Sequence, residues 1–107
     1  MSDYLQVETT AASVADAQQI ARALVERRLA ACVHIAGPIE SIYRWQGAIE
    51  QSQEWTCTIK THRDRFEAVA ATIREIHAYE CPQIIASRID QLSEDYRNWI
   101  DDQVTEL

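Results

Sequence analysis

The middle of the chain constrains the fold most strongly, because it describes two extended segments joined by a short turn. The first segment covers residues 32–35 and 39–45, and the intervening Gly37-Pro38 is typical of a bulge or bend in a strand. Gln46-Gly47 supplies the turn. Residues 48–60 are extended again, and within them apolar and polar side chains alternate. The pattern predicts a long antiparallel hairpin with about ten residues in each strand.

A strand and a helix are predicted before the hairpin. Residues 4–10 alternate apolar with polar side chains, as a strand with one buried face does. Residues 13–16 have the form of a capping box, in which a hydroxyl and a carboxylate satisfy the first free amides of a helix. Apolar residues then recur at helical spacing, so the helix is predicted to run to about Ala30.

The second half repeats this order of elements. Residues 61–64 form a second capping-box pattern, and the helix predicted after it ends near His77. Pro82 cannot continue a helix, so residues 83–89 are interpreted as another strand. Ser93 is predicted to open a short C-terminal helix.

The order of elements predicts an α+β fold of the ferredoxin-like, split βαβ kind. This fold is a sandwich of helices on a four-stranded antiparallel sheet, here with a long central hairpin and a C-terminal helix. A chain of 107 residues fits one domain, residues 1–107, because two separate cores of half that size would each be marginal.

Composition narrows the class of function. The net charge of −7, with ten basic residues scattered among seventeen acidic ones, argues against a nucleic-acid partner. No secretory leader or membrane span is predicted, so we expect a cytoplasmic protein with no membrane partner. Three widely spaced cysteines fit reduced thiols better than a disulfide framework. Motifs of nucleophilic catalysis are missing from the sequence, so an enzyme is not expected.

The hairpin predicts an oligomer. Its strands exceed the usual length and carry Tyr43, Trp45 and Trp55, whose exposure on a lone hairpin would favour aggregation. The rings could instead fold back onto the chain's own helices. We favour contact between subunits, because the amphipathic helices already supply a core for one chain.

Metal-binding chemistry is suggested by His77, Glu80 and Cys81, which place imidazole, carboxylate and thiol donors within a few residues. His77 also extends an apolar helix face, so it could instead be a helix-end histidine bonded to a backbone carbonyl. A second hypothesis gives Lys60, Arg63 and Arg65, near a helix N-terminus, a role in binding a small anion.

The remaining histidines and cysteines show no ligand spacing and are interpreted as structural or solvent-facing. They are His34, His62, Cys32 and Cys57.

Five motifs occur in one order along the chain: LAACV at 29–33, IESIYRWQG at 39–47, IKT at 59–61, HAYECP at 77–82 and DYRNW at 95–99. With this order and spacing the sequence resembles the CutA family of divalent-cation tolerance proteins across nearly its whole length. The resemblance implies a ferredoxin-like protomer in a homotrimer with the hairpin in its interface, and an architecture similar to PII signalling proteins. It also implies a role in tolerance, binding and response to divalent cations such as copper.

Two positions depart from the family pattern. Ala78 stands where the family commonly has proline, which leaves the loop less rigid. Thr9 stands where some bacterial members carry a cysteine that is a candidate copper ligand, and a hydroxyl is a poor ligand for copper. Cys81 could supply a thiolate in its place. The alternative function is a PII-like trimeric sensor or scaffold that binds a small anionic ligand in clefts between subunits.

Overall fold

The computed structural model describes residues 3–104, and a four-stranded antiparallel sheet forms its centre. Its strands are β1 (Tyr4–Ala11), β2 (Cys32–Trp45), β3 (Ala48–His62) and β4 (Ile85–Arg88). Its helices are α1 (Val14–Glu26), α2 (Phe66–Ile76) and α3 (Glu94–Gln103). The strand order is β2-β3-β1-β4, so β3 lies between the two strands that α1 connects. This split βαβ arrangement confirms the predicted ferredoxin-like α+β fold.

The main core lies between the sheet and the helices α1 and α2. Alternate residues of β1 are buried there, and both helices add residues at helical spacing. The largest members are Val7, Ile20, Leu24, Ile59, Val69 and Ile73. Burial of one such side chain stabilises the fold by about 1.5–3 kcal/mol. A smaller cluster holds α3 through Ile100 and Val104, which pack with Ala31.

Two of the predicted helix starts are confirmed in detail. The hydroxyl of Ser13 accepts a hydrogen bond from the Asp16 amide at 3.1 Å, and Ser93 caps α3 in the same way. The capping box predicted at residues 61–64 is wrong. The Thr61 hydroxyl donates instead to the Leu29 carbonyl at 2.6 Å, because Thr61 is a buried residue of β3. A 3-10 turn, Arg63–Arg65, leads into α2.

The hairpin strands are longer than predicted, at 14 and 15 residues. The register of β2 against β3 shifts between Ala36 and Ile39, so the bulge at Gly37-Pro38 bends the strand without ending it. At the tip, Gln46 and Gly47 both have positive φ and join Trp45 to Ala48, as in a two-residue type I′ turn.

Other boundaries differ by a few residues. The helix α1 ends at Glu26 and not near Ala30, because Arg28 adopts a left-handed conformation with φ of 57°. The strand β4 covers Ile85–Arg88, a shorter range than the predicted 83–89. Within residues 3–104, no helix has both the length and the apolar composition needed to cross a bilayer.

Candidate functional site

A cleft of about 720 Å³ lies between the hairpin and the loop that follows α2. The hairpin contributes carboxylates and aromatic rings to its walls, and the loop contributes a tyrosine, a carboxylate and a thiol. They include Glu40, Trp45 and Glu54 from the hairpin and Tyr79, Glu80 and Cys81 from the loop. Acidic groups therefore face the cleft from both sides, which favours positively charged ligands.

His77 fixes where this loop begins. Its backbone leaves helical geometry, with ψ of 138°, and this ends α2. Its Nε2–H donates to the Thr10 carbonyl at 2.6 Å, while its Nδ1 accepts a hydrogen bond from the Tyr79 amide at 3.0 Å. A carbonyl can only accept and an amide N–H can only donate, so the ring is the neutral tautomer with its proton on Nε2. His77 thus ties the loop to β1.

Tyr79 joins the loop to the hairpin. Its hydroxyl donates a hydrogen bond of 2.8 Å to the Glu54 carboxylate, which is only 8% exposed. Burial, and then the bond to the Glu54 carboxylate, raise the pKa of Tyr79 above its usual value. The tyrosine therefore keeps its proton at neutral pH and satisfies a nearly buried carboxylate.

The predicted metal ligands divide into two groups. Glu80 and Cys81 are exposed and line the cleft. His77 borders a smaller pocket against α1, and hydrogen bonds occupy both of its ring nitrogens. Within residues 3–104, no three His, Cys, Asp or Glu side chains group closely enough to hold a metal ion. The donors of one chain therefore do not make a complete site, and the ligand assignment of these three residues stays a prediction.

Thr9 does not reach the cleft. It is a fully buried residue of β1, paired across the ladder with Cys57. Its hydroxyl oxygen has no hydrogen-bond partner among the described residues. The neighbouring Thr10 lines the cleft in its place. A side chain in that core position points toward the helices and not toward the acidic walls.

The basic residues of the alternative hypothesis lie elsewhere. Lys60 is on β3 opposite Gln6, and Arg63 approaches the Asp3 carboxylate at 3.9 Å. Arg65 belongs to the turn before α2. None of these three basic residues lines the cleft, and their role in anion binding stays a prediction.

The aromatic residues of the hairpin differ in exposure. Tyr43 and Trp45 are 44% and 40% exposed, and Ile42 and Ile49 beside them are 67% and 68% exposed. Trp55 packs partly against the core of its own chain, and its ring covers Gly37. The apolar surface available to another molecule is therefore concentrated toward the hairpin tip.

Sequence reasoning did not identify Glu40, Glu54 or Tyr79 as parts of the site. Tyr79 lies inside the HAYECP motif, between two residues that were identified. Glu54 has the parity of Thr56 and Thr58, whereas the core side of β3 is formed by Cys57 and Ile59. Alternation alone therefore predicts an exposed carboxylate at this position, and its burial depends on the partner Tyr79 from a distant loop.

Comparison with known proteins agrees with the fold and with the motifs. The family model of the CutA1 divalent ion tolerance protein matches residues 5–103. The mouse protein CutA is 43% identical over 90 residues, which are 84% of this chain and 50% of the mouse protein. The chain thus spans half the length of that relative.

The match to this chain covers a larger share of the archaeal relative than of the mouse protein. The divalent-cation tolerance protein CutA of Archaeoglobus fulgidus is 38% identical over 95 residues, which are 89% of this chain and 92% of that protein. The solved structure of the periplasmic divalent cation tolerance protein CutA from Archaeoglobus fulgidus superposes with a TM-score of 0.92 at 35% identity. This superposition covers 95% of this chain and 99% of the other. The chain belongs to the CutA1 family of divalent ion tolerance proteins.

Proposed function

We propose that this protein acts in divalent-cation tolerance as a homotrimer that binds copper or another divalent metal and responds to metal ions. The observation that carries the proposal is the cleft, where the Cys81 thiol and the carboxylates of Glu40, Glu54 and Glu80 face one volume. Carboxylates attract divalent cations, and a thiolate adds affinity for copper over hard ions such as magnesium. The protein has no catalytic role in this proposal.

The exposed surface near the hairpin tip supports the trimer. Ile42, Tyr43, Trp45 and Ile49 form an apolar patch of the kind that marks an interface. The outer strands β2 and β4 also leave unpaired backbone groups at the two edges of the sheet. Contact through these surfaces in a closed ring would cover the patch in every copy, and the exposed part of Trp55 would extend the interface.

A second subunit would also complete the metal site. Among the described residues of one chain, no three donors group closely enough to hold a metal, and most divalent metals require more than two ligands. His77 has one of two roles in this proposal. It anchors the loop, or it becomes a metal ligand after its hydrogen bond to the Thr10 carbonyl breaks. When bound, the metal would hold the loop against the hairpin. The position of the cleft beside the apolar patch supports a metal site near a subunit boundary.

Calorimetric titration with Cu(II) tests the metal proposal. We expect Cys81→Ala to weaken Cu(II) binding by about tenfold or more, because the soft ligand is lost. Glu80→Gln should weaken it less, and Glu50→Gln is the matched control, since Glu50 is an exposed hairpin carboxylate outside the cleft lining. Wild-type protein without measurable Cu(II) binding, or equal affinity in Cys81→Ala, would contradict the proposal.

The PII-like alternative has less support, because Lys60, Arg63 and Arg65 lie outside the cleft and Arg63 pairs with Asp3. Titration with ATP distinguishes it from metal binding. ATP affinity that falls in Arg65→Gln, without any response to Cu(II), would favour the sensor over the metal-binding protein.

We also place the protein in the cytoplasm, where its three free cysteines would stay reduced. The relative from Archaeoglobus fulgidus is described as periplasmic. Fractionation of cells that produce the protein separates the two locations. Recovery in the periplasmic fraction would contradict the cytoplasmic placement.

A further inference from the structure

A thiol and an imidazole stand side by side on β2, away from the cleft. Cys32 and His34 are two residues apart on one strand, so their side chains emerge on the same face. In the ladder they lie opposite Lys60 and Thr58, which belong to the sheet face that α1 and α2 leave uncovered. The distance from Cys32 Sγ to His34 Nε2 is 3.9 Å. Cys32 is partly buried and His34 is exposed, so solvent can reach the pair.

This separation suits one bridging metal ion. With metal–sulfur and metal–nitrogen bonds of about 2.3 and 2.0 Å, two donors 3.9 Å apart subtend an angle of about 130° at the metal. That angle lies between trigonal and linear geometry. An ion can therefore bind both atoms without a change in the backbone, and one side of it stays open.

The wall beside the sulfur comes from α3. The Tyr96 hydroxyl lies 3.7 Å from Cys32 Sγ, and the Tyr96 ring stacks on Trp99 with centroids 5.6 Å apart. A tyrosine holds its proton at neutral pH, so this hydroxyl can donate to a thiolate. Tyr96 is therefore a positioning residue for the sulfur and not a ligand.

The number and softness of the donors select the metal. Zinc sites in proteins need about four ligands in tetrahedral geometry, and no third His, Cys, Asp or Glu joins this pair among the described residues. Thiolate and imidazole suit Cu(I), a soft closed-shell ion that is stable with few ligands. We propose that Cys32 and His34 form a Cu(I) site that is separate from the cleft. The site does not depend on Glu80 or Cys81, so it can be correct even if the cleft binds no metal.

The test is anaerobic competition for Cu(I) against the chromogenic chelator bicinchoninate. It uses the Cys81→Ala protein, in which the cleft thiol is removed. We expect this protein to retain one Cu(I) per chain, with the near-ultraviolet absorption of a copper–thiolate bond. Adding Cys32→Ser should lower the affinity by about a hundredfold or more and remove that absorption. Adding His34→Ala should lower it by about tenfold or more.

Matched variants separate a local effect from misfolding. Glu50→Gln changes an exposed carboxylate of the hairpin that contributes to neither site, and it should leave Cu(I) affinity unchanged. Tyr96→Phe should weaken binding by about tenfold, in the range observed for partners of metal ligands. Thermal unfolding of each apoprotein checks that Cys32→Ser and His34→Ala fold like the parent.

Three results would overturn the proposal. They are loss of Cu(I) binding in Cys81→Ala alone, unchanged affinity after Cys32→Ser, and binding of Zn(II) in preference to Cu(I). The Cu(II) titration of the cleft gives an independent answer, because it should depend on Cys81 and be unchanged by Cys32→Ser. Failure of one site is thus distinguishable from failure of the other.

Discussion

At the scale of single residues, two side chains hold the loop that forms one wall of the cleft. His77 binds the Thr10 carbonyl of β1, and Tyr79 binds the Glu54 carboxylate of β3. Ala78 lies between them and lacks the rigid backbone of proline. The two hydrogen bonds therefore contribute more to fixing the conformation of the loop. Glu80 and Cys81 follow directly and take their positions from this attachment.

Substitution Tyr79→Phe tests the attachment. It removes the 2.8 Å hydrogen bond and leaves the nearly buried Glu54 carboxylate without that donor. We expect the free energy of unfolding to fall by about 1.5–3 kcal/mol, measured by urea denaturation. Tyr43→Phe is the control, because the Tyr43 hydroxyl makes a longer, exposed contact of 3.4 Å with Ser52. If the two substitutions lowered the free energy of unfolding equally, the bond to Glu54 would contribute no more than an exposed contact, which would contradict the prediction.

The sequence predicted part of this geometry. An end of α2 near His77 follows from Pro82 and from the helical spacing before it, and a bond from His77 to a backbone carbonyl was one of the two interpretations. The carbonyl itself belongs to Thr10, 67 residues earlier in the chain. The packing of α2 on the sheet determines this partner. A local sequence pattern does not predict a contact between residues so far apart in the chain.

At the scale of elements, the hairpin depends on a close approach at its bulge. A Cβ atom on Gly37 would lie 2.6 Å from the Trp55 ring, whereas one on Gly47 at the tip would meet nothing within 4 Å. We expect Gly37→Ala to lower the free energy of unfolding by about 1–3 kcal/mol, because the partly buried ring must move.

Gly47→Ala gives the comparison for this prediction. It should cost about 1 kcal/mol through its positive φ alone, without shifting the tryptophan. Chemical denaturation gives both stabilities, and tryptophan fluorescence should change only in Gly37→Ala. A fluorescence change in Gly47→Ala and not in Gly37→Ala would contradict the packing at the bulge.

The hydrogen bonds that attach α3 to the sheet make the stability of the fold depend on pH. Asp101 accepts hydrogen bonds from the Tyr4 hydroxyl and from His62 Nε2, each at 2.7 Å, and these bonds lower the pKa of Asp101. Burial, and then Asp101, raise the pKa of Tyr4 to about 12 from 10.0. A raised pKa means that the folded state binds the Tyr4 proton more tightly than the unfolded state. Its stabilising effect is therefore complete below pH 10 and is lost as the pH rises to about 12.

Tyr4→Phe isolates this effect from the other groups that ionise at high pH. The difference in unfolding free energy between wild type and Tyr4→Phe should shrink from about pH 9 to about pH 11.5, as urea titrations at both values can show. A difference that stays constant or grows would contradict the bond between Tyr4 and Asp101.

The elements themselves could largely be predicted from local signals. Alternation in β1 and β3 and the hydroxyl caps at Ser13 and Ser93 are physical causes that act within a few residues. The capping box at residues 61–64 failed because the fold buries Thr61 and engages its hydroxyl with Leu29. Cys32 and His34 were interpreted as structural or solvent-facing, although residues two apart on a strand share a face and can therefore lie close together.

At the scale of the whole molecule, one chain leaves apolar side chains, sheet edges and the donors of the cleft exposed. Tyr43 and Trp45 remain exposed at the hairpin, the sheet has two open edges, and Glu80 and Cys81 face the cleft with too few partners for a metal. A single assembly of several copies would resolve all three. The sequence predicts this through the excess length of the hairpin, but residue contacts between copies cannot be read from one chain.

Native mass spectrometry of the purified protein, with and without Cu(II), shows whether the chain forms a homotrimer and whether that trimer binds copper. We expect an assembly of three times the chain mass of 12.2 kDa, which binds more copper in wild type than in Cys81→Ala at limiting Cu(II). A species at the mass of one chain, or a trimer whose mass Cu(II) does not change, would contradict a homotrimeric metal-binding protein.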